Sequence, residues 1–173
     1  SSPQVWRNLT NDVLGTPRLR ERYQVWHYFY PTSEPFVLAA RRFRTDLRAL
    51  FDELHVPQDG TVVVMGHSMG GLLAKSLVVH SGSTLWDAVF DVPPARLQAP
   101  AETRDALVDT LHLEPWPEIG RVVFLGTPHG GSELADAWWA RVLEQFMRLP
   151  TVVRAQLEGV SRADASHVRP AMR

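Results

Sequence analysis

The sequence TVVVMGHSMGG occupies residues 61–71 and joins a run of β-branched residues directly to a glycine-rich turn. Residues 61–65 lie between Gly60 and Gly66, a pattern that is typical of a parallel strand covered on both faces. After the turn, apolar side chains recur at helical spacing and predict a helix that starts at once and ends near Gly82. The stretch therefore predicts a central strand, a tight turn and a helix.

Further strand and helix patterns flank this unit on both sides. Residues 24–30 are rich in aromatic and β-branched types and predict a buried strand. Residues 36–54 carry apolar side chains at three- and four-residue intervals and predict a helix. The arginines of this helix, which we expect on a solvated face, are Arg41, Arg42, Arg44 and Arg48. Residues 121–125 repeat the buried-strand pattern, and a last helix is predicted over 132–147.

Residues 84–117 interrupt the alternation of strands and helices with several prolines and a short helical stretch near 101–111. We expect this segment to be a cap-like excursion from a single partial domain that spans residues 1–173. The alternation elsewhere predicts an α/β fold, with a mainly parallel sheet and helices on both faces. Because the chain starts without Met and stops soon after the last predicted helix, we expect this core to be truncated at both ends.

Composition and charge narrow the classes of function. The 173 residues are 45% hydrophobic and 21% charged, proportions typical of one globular core. A formal net charge of −1 provides no field to collect nucleic acid, so no nucleic-acid partner is expected. The chain has no Cys, and no apolar run approaches the ~20 residues that span a bilayer. Disulfides, a cysteine nucleophile and a transmembrane segment are therefore not expected.

Gly66, Ser68 and Gly70 match the pattern G-x-S-x-G in the context that a nucleophile elbow requires, between a buried strand and a helix. The sharp turn forces the serine into strained backbone geometry, and small residues two positions before and after it avoid a collision. Ser68 would then project from the carboxyl edge of the sheet as a nucleophile. The backbone N–H of Met69, at the positive end of the helix, is predicted to donate to the oxyanion. Removing one such donor typically costs ~3 kcal/mol of transition-state stabilisation.

The turn at 66–71 has two other interpretations. It could be no more than a glycine-rich turn, since a bare G-x-S-x-G occurs often by chance. It could also bind phosphate at the helix N-terminus, but neither G-x-x-x-x-G-K-[S/T] nor G-x-G-x-x-G is present. The flanking strand and helix favour the elbow, which Gly66, His67, Gly70 and Gly71 would support. His67 is expected to point away from the serine, as a structural histidine in the packing beneath the turn.

GHSMGG at 66–71 and RVVFLGTPHGGS at 121–132 together resemble the lipase and esterase branch of the α/β-hydrolase superfamily. WDAVFDVPP at 86–94 and EPWPEIG at 114–120 extend the resemblance, which is strongest to bacterial PGAP1-like hydrolases. The resemblance implies a serine hydrolase without a cofactor, which forms an acyl-enzyme on Ser68 from a small-molecule or lipid ester. In such proteins an upstream His-Gly loop supplies the second oxyanion donor, and the triad acid and histidine follow later in the chain. We expect these groups outside the chain.

His129, in the loop after the predicted strand 121–125, is the most obvious candidate base within the sequence. A hydroxyl nucleophile needs a base within hydrogen-bond reach and a third group that orients that base. The acids between the two residues all fall in the excursion and are Asp87, Asp91, Asp105 and Asp109. In similar proteins this histidine supports the site without being the triad base, so we expect His129 to be a hydrogen-bonded loop residue. Asp164 and His167 are expected in a solvated tail, and no metal-ligand spacing such as H-E-x-x-H occurs.

The competing hypothesis is a non-catalytic remnant of the hydrolase fold that serves as a binding or scaffold module. It follows from the missing catalytic groups, which also lead us to expect negligible esterase activity from residues 1–173 alone. The predicted helix over 132–147 carries apolar residues on more than one stripe. Part of it could line an acyl pocket or a lid, although core packing explains most of its aromatic residues.

Overall fold

The computed structural model describes residues 3–31 and 36–127. The chain divides into two compact units, Ser1–Glu34 and Pro35–Arg173, and each is described by itself below. The helix predicted over 132–147 lies outside the described residues.

The first unit contains short helices followed by an extended segment. A 3-10 helix (Pro3–Trp6) leads into helix α1 (Arg7–Gly15), and the single-turn helix α2 (Pro17–Arg20) follows. Thr16 separates the two with extended backbone, at φ −93 and ψ 111. Pro17 then occupies the first turn of α2, where the missing N–H of proline would have no partner in the helix.

Residues 24–31 have no regular secondary structure, so the prediction of a buried strand over 24–30 is wrong. The rings of Tyr28 and Tyr30 stack with their centroids 6.0 Å apart. These two side chains, two residues apart, therefore lie on the same side of the chain, as they would in extended backbone. Much of the aromatic surface is in solvent, and Phe29 is 67% exposed. β propensity mainly reflects packing against a neighbouring strand. Within the described ranges, this segment has no strand alongside it.

The second unit begins with helix α3 (Phe36–Glu53), which the apolar periodicity predicts. The elements that follow are β1 (Val62–His67), α4 (Met69–Lys75), α5 (Thr84–Val89), a 3-10 helix (Pro94–Arg96), α6 (Ala101–Leu111) and β2 (Ile119–Leu125). β1 and β2 pair in parallel, with Val64 opposite Val122 and Gly66 opposite Phe124. In the described part of the chain the sheet has these two strands. A larger sheet with helices on both faces stays a prediction.

Helix α4 lies against one face of the strand pair. It packs on β1 and β2, and α3 packs on α4. The buried apolar residues of the two helices are Ala39, Ala40, Phe43, Phe51, Leu72, Leu73 and Ala74. On β1, half-buried Val62 and Val64 alternate with exposed Val63 and Met65. Among the described residues β1 is therefore covered on one face, and the predicted burial of both faces is not found.

Helix α4 ends at Lys75, earlier than its predicted end. The carbonyl groups that would continue the helix accept hydrogen bonds from other elements. The Ser76 carbonyl accepts from the Arg44 guanidinium, and the Leu77 carbonyl accepts from the Trp116 N–H at 2.9 Å. Because these carbonyls face partners outside α4, they do not continue its hydrogen-bond ladder, and the helix stops.

The excursion at residues 84–117 is helical and has a small core of its own. Helix α5 packs on α6, which coincides with the helical stretch predicted near 101–111. The buried residues of this core are Trp86, Phe90, Leu97 and Leu111. The rings of Trp86 and Phe90 have their centroids 4.6 Å apart, and the Trp86 indole donates to the Val92 carbonyl at 2.6 Å. The excursion therefore holds its shape partly through contacts within itself.

Two of the arginines predicted on a solvated face of α3 instead contact the chain that enters β2. Arg48 donates to the Glu118 carboxylate at 2.6 Å, and its guanidinium carbon lies 3.9 Å from the centre of the Trp116 ring. The guanidinium carbon of Arg44 lies 5.1 Å from the same ring centre. The prediction is wrong for both arginines because their partners come from distant sequence, and Glu118 is 70 positions beyond Arg48. Both side chains lie against the Trp116 ring, and Arg48 is also ion-paired with Glu118.

Glu118 is a buried acid, with 1% of its surface exposed. Burial disfavours its charge, but hydrogen bonds from Arg48, its own backbone N–H and Gln58, with the charge of Arg48, outweigh that effect. The pKa of Glu118 therefore lies below its ordinary value of 4.5. The Glu118 carboxylate and the Arg48 guanidinium form an ion pair at the amino end of the sheet.

Candidate functional site

Ser68 connects the end of β1 to the start of α4. β1 ends at His67 and α4 begins at Met69, so this one residue makes the turn between strand and helix. Ser68 has φ 53 and ψ −125, a region of backbone space that residues with a side chain rarely occupy. The residue is also exposed. The structure thus holds an exposed serine in a strained backbone conformation at the carboxyl end of the sheet.

Hydrogen bonds on both sides of Ser68 hold this conformation. Its N–H donates to the carbonyl of Leu125, the last residue of β2, at 2.9 Å. Its carbonyl accepts from the N–H of Gly71 at 3.0 Å. Strained backbone persists only where its surroundings determine it. Here β2 fixes the entry to the turn and α4 fixes the exit.

Gly66 allows β1 and α4 to approach each other below the turn. A Cβ on Gly66 would lie 2.4 Å from the Gly71 Cα and 2.5 Å from the Gly70 carbonyl oxygen. These are backbone atoms, which cannot move aside as the end of a long side chain can. The close contact gives a steric reason for the first glycine of G-x-S-x-G in this chain.

Gly71 allows the loop after β2 to contact the first turn of α4. A Cβ on Gly71 would lie 1.8 Å from the Thr127 Oγ1. The same hydroxyl lies 3.5 Å from the Gly66 carbonyl oxygen. Sequence reasoning missed Thr127, because its role depends on the space over Gly71. The available signals were its place in the loop sequence GTPHGGS and its position two residues after the predicted strand 121–125.

The backbone N–H groups of Met69 and Gly70 belong to the first turn of α4. The first N–H groups of an α-helix have no acceptor within the helix, and they lie at its positive end. Leu72 and Leu73 are buried and anchor this helix in the core. The Met69 N–H, which the sequence predicts as an oxyanion donor, therefore belongs to the first turn of the helix that follows Ser68; its role as a donor stays a prediction.

Of the histidines considered in the sequence analysis as parts of the site, the structure describes His67 but not His129 or His167. His67 is half-buried at the end of β1. Its Nε2 would lie 3.8 Å from a Cβ on Gly126, so the ring is beside the loop that follows β2. His129 lies outside the described residues, and so do Asp164 and His167.

The acids of the excursion lie on or next to its helices. Asp87 is in α5, where its carboxylate accepts from the Ser83 hydroxyl at 2.5 Å. Asp91 follows α5, and Asp105 and Asp109 are in α6. None of these four acids follows the end of β1 or β2, where the Ser68 turn and the Thr127 loop lie.

Among residues 3–31 and 36–127, no group of three or more His, Asp or Glu is arranged to hold a metal ion. In the same ranges no helix has the length and apolar character needed to cross a membrane. The described site therefore consists of a strained, exposed serine, the helix that follows it and the loop that braces both. Comparisons of the chain with protein-family models, with curated proteins and with solved structures found no match.

Proposed function

We propose that the chain is the central part of a serine hydrolase that cleaves carboxylic esters of small molecules or lipids. The observation that carries this proposal is the backbone of Ser68, at φ 53 and ψ −125 in an exposed residue between a parallel strand and a helix. Strand, one-residue turn and helix are the parts of a nucleophile elbow, which raises a serine hydroxyl above the edge of a sheet. Strain of this kind persists mainly where it serves a function.

In the proposed reaction, the Ser68 Oγ attacks the carbonyl carbon of the ester while a general base takes the hydroxyl proton. The oxyanion accepts a hydrogen bond from the Met69 N–H. The alcohol leaves with the proton from the base, and the acyl group stays on Oγ. Water then attacks the acyl-enzyme, releases the carboxylic acid and returns the proton to Ser68. In this proposal the base and its orienting acid belong to parts of the protein outside the described residues.

A fluorophosphonate probe tests the assignment in the full-length protein. We expect a covalent adduct on Ser68, located by mass spectrometry of the digested protein, and its loss in Ser68→Ala. Ser83→Ala is the matched control, because Ser83 is also exposed but precedes α5 in the excursion. Labelling that survives Ser68→Ala unchanged would sink the assignment.

The same experiment separates the proposal from the competing hypothesis of a binding or scaffold module. That hypothesis predicts a folded protein that gives no probe adduct and does not turn over a short-chain p-nitrophenyl ester. Circular dichroism on the same sample shows whether the unlabelled protein is folded. An unlabelled but folded full-length protein would favour the module.

A further inference from the structure

Thr127 occupies the space that a side chain at position 71 would need. A Cβ on Gly71 would lie 1.8 Å from its Oγ1, 2.7 Å from its Cγ2 and 2.8 Å from its Cβ. Carbon atoms in favourable contact are about 3.5–4.0 Å apart, so all three positions are too close. The Thr127 side chain therefore fills the space that Gly71 leaves open because it has no side chain.

The same threonine also reaches the strand on the other side of the turn. Its hydroxyl lies 3.5 Å from the Gly66 carbonyl oxygen. Gly66 lies two positions before Ser68, and Gly71 lies three positions after it. Two residues before Thr127, the Leu125 carbonyl accepts the Ser68 N–H. The end of β2 and the loop after it thus contact the turn before, at and after the strained serine.

We propose that Thr127 is a positioning residue for Ser68, an inference that rests on the proposed ester hydrolysis. If the first turn of α4 moved into the space over Gly71, the strained turn would relax, and both the Ser68 Oγ and the Met69 N–H would move. Thr127 fills that space and prevents the movement. A misplacement of 1 Å at a reacting group can cost about 100-fold in rate, so even a small movement of this turn would slow the reaction.

A double-mutant cycle in the full-length protein tests the contact. Gly71→Ala should lower the melting temperature by about 4–8 °C, because the new methyl group overpacks against Thr127. In a Thr127→Gly background the same change should have little further effect, since its obstacle is gone. Gly15→Ala is the matched control, because a Cβ there would meet nothing within 4 Å. Equal losses from Gly71→Ala in both backgrounds would overturn the proposed contact.

The rate of fluorophosphonate labelling, measured well below every melting temperature, tests the positioning role. We expect Thr127→Gly to label Ser68 about 10-fold more slowly than the wild type. Thr127→Val should label near the wild-type rate, because it keeps the shape that fills the space. A wild-type rate in Thr127→Gly would refute the positioning role while leaving the proposed hydrolysis intact. Absence of labelling in the wild type would instead refute the hydrolysis, and the positioning role with it.

Discussion

The two ends of the β1–β2 pair are held together by different kinds of contact. At the carboxyl end, backbone and loop atoms crowd around glycines and keep the exposed Ser68 in a strained conformation. At the amino end, the Glu118 carboxylate is buried and accepts from Arg48, which also stacks on an indole ring. One end therefore maintains strain at an exposed residue, whereas the other pairs a buried carboxylate with an arginine. Under the proposed function, the strained carboxyl end carries the chemistry, whereas the amino end holds a buried ion pair.

The amino end also contains an irregularity in the pairing of the two strands. A Cβ on Gly120 would lie 1.8 Å from the Gly60 carbonyl oxygen, so the two backbones approach closely there. The Val62 N–H donates to the Glu118 carbonyl at 3.0 Å. The pairing shifts by one position between Val62 and Val63, and beyond that point it runs regularly to the carboxyl end. Gly120 is therefore the extra residue on β2 at this irregularity, where the two backbones are closest.

Among these changes, Gly66→Ala should have the largest effect on stability and on Ser68 labelling. It should disrupt the carboxyl end of the β1–β2 pair and leave the amino end intact. The new Cβ would meet backbone atoms of α4, so we expect a cost of about 3 kcal/mol in the free energy of unfolding. We also expect Ser68 labelling to slow by at least about 100-fold, because the turn must move. Urea denaturation and fluorophosphonate kinetics measure the two effects, with Gly15→Ala as control. Labelling of Gly66→Ala at the wild-type rate would contradict the geometric account of the elbow.

Arg48→Met should break the amino end and leave the carboxyl end intact. It removes the partner of a buried carboxylate, for which we expect about 2 kcal/mol in the free energy of unfolding. This is less than for a fully buried pair, because the Arg48 side chain is 35% exposed. Labelling of Ser68 should remain at the wild-type rate in buffer without urea. Arg41→Met, on the same helix, is the control; equal destabilisation by both changes would remove the special role of Arg48.

The smallest of the expected effects is the contribution of Glu118 to the pH dependence of the free energy of unfolding. Its native pKa lies below its ordinary value of 4.5, so it favours the folded state when ionised. Its contribution is fully present above pH 4.5 and is lost as pH falls through the lower native pKa. We therefore expect the stability difference between wild type and Glu118→Gln, from urea denaturation, to shrink as pH falls below 4.5. A constant difference down to pH 3 would contradict this.

The elements that the sequence predicts well are those determined by near neighbours. β1, α3, α6 and β2 were all expected from apolar spacing or β-branched runs, and each is present. The position of Ser68 at a one-residue turn follows from glycines within three residues of it. Such patterns describe which side chains share a face and where a turn must be small, and both are local properties.

The features that the sequence did not predict all depend on partners far along the chain. The strand expected over 24–30 lacks a neighbouring strand in the described residues. Helix α4 stops early because groups from α3 and from the chain before β2 bind the carbonyls that follow it. The sequence predicts Arg48 in solvent, although Glu118 accepts from it, and does not indicate Thr127, although Gly71 leaves room for it. A single sequence gives no indication of these pairings, because they appear only when the chain has folded.

The hydrogen bond from Ser68 to Leu125 links the conformation of the serine to the pairing of the two strands. Because the Ser68 N–H donates to the last residue of β2, we expect the left-handed backbone of Ser68 to be held only while the strands are paired. In a newly synthesised or partly opened chain, the residue relaxes to ordinary dihedral angles and its hydroxyl resembles that of any surface serine. Under the proposed function, the reactivity of Ser68 would then be gained and lost together with the sheet. The amide proton of Ser68 should exchange with solvent slowly, although the residue itself is exposed.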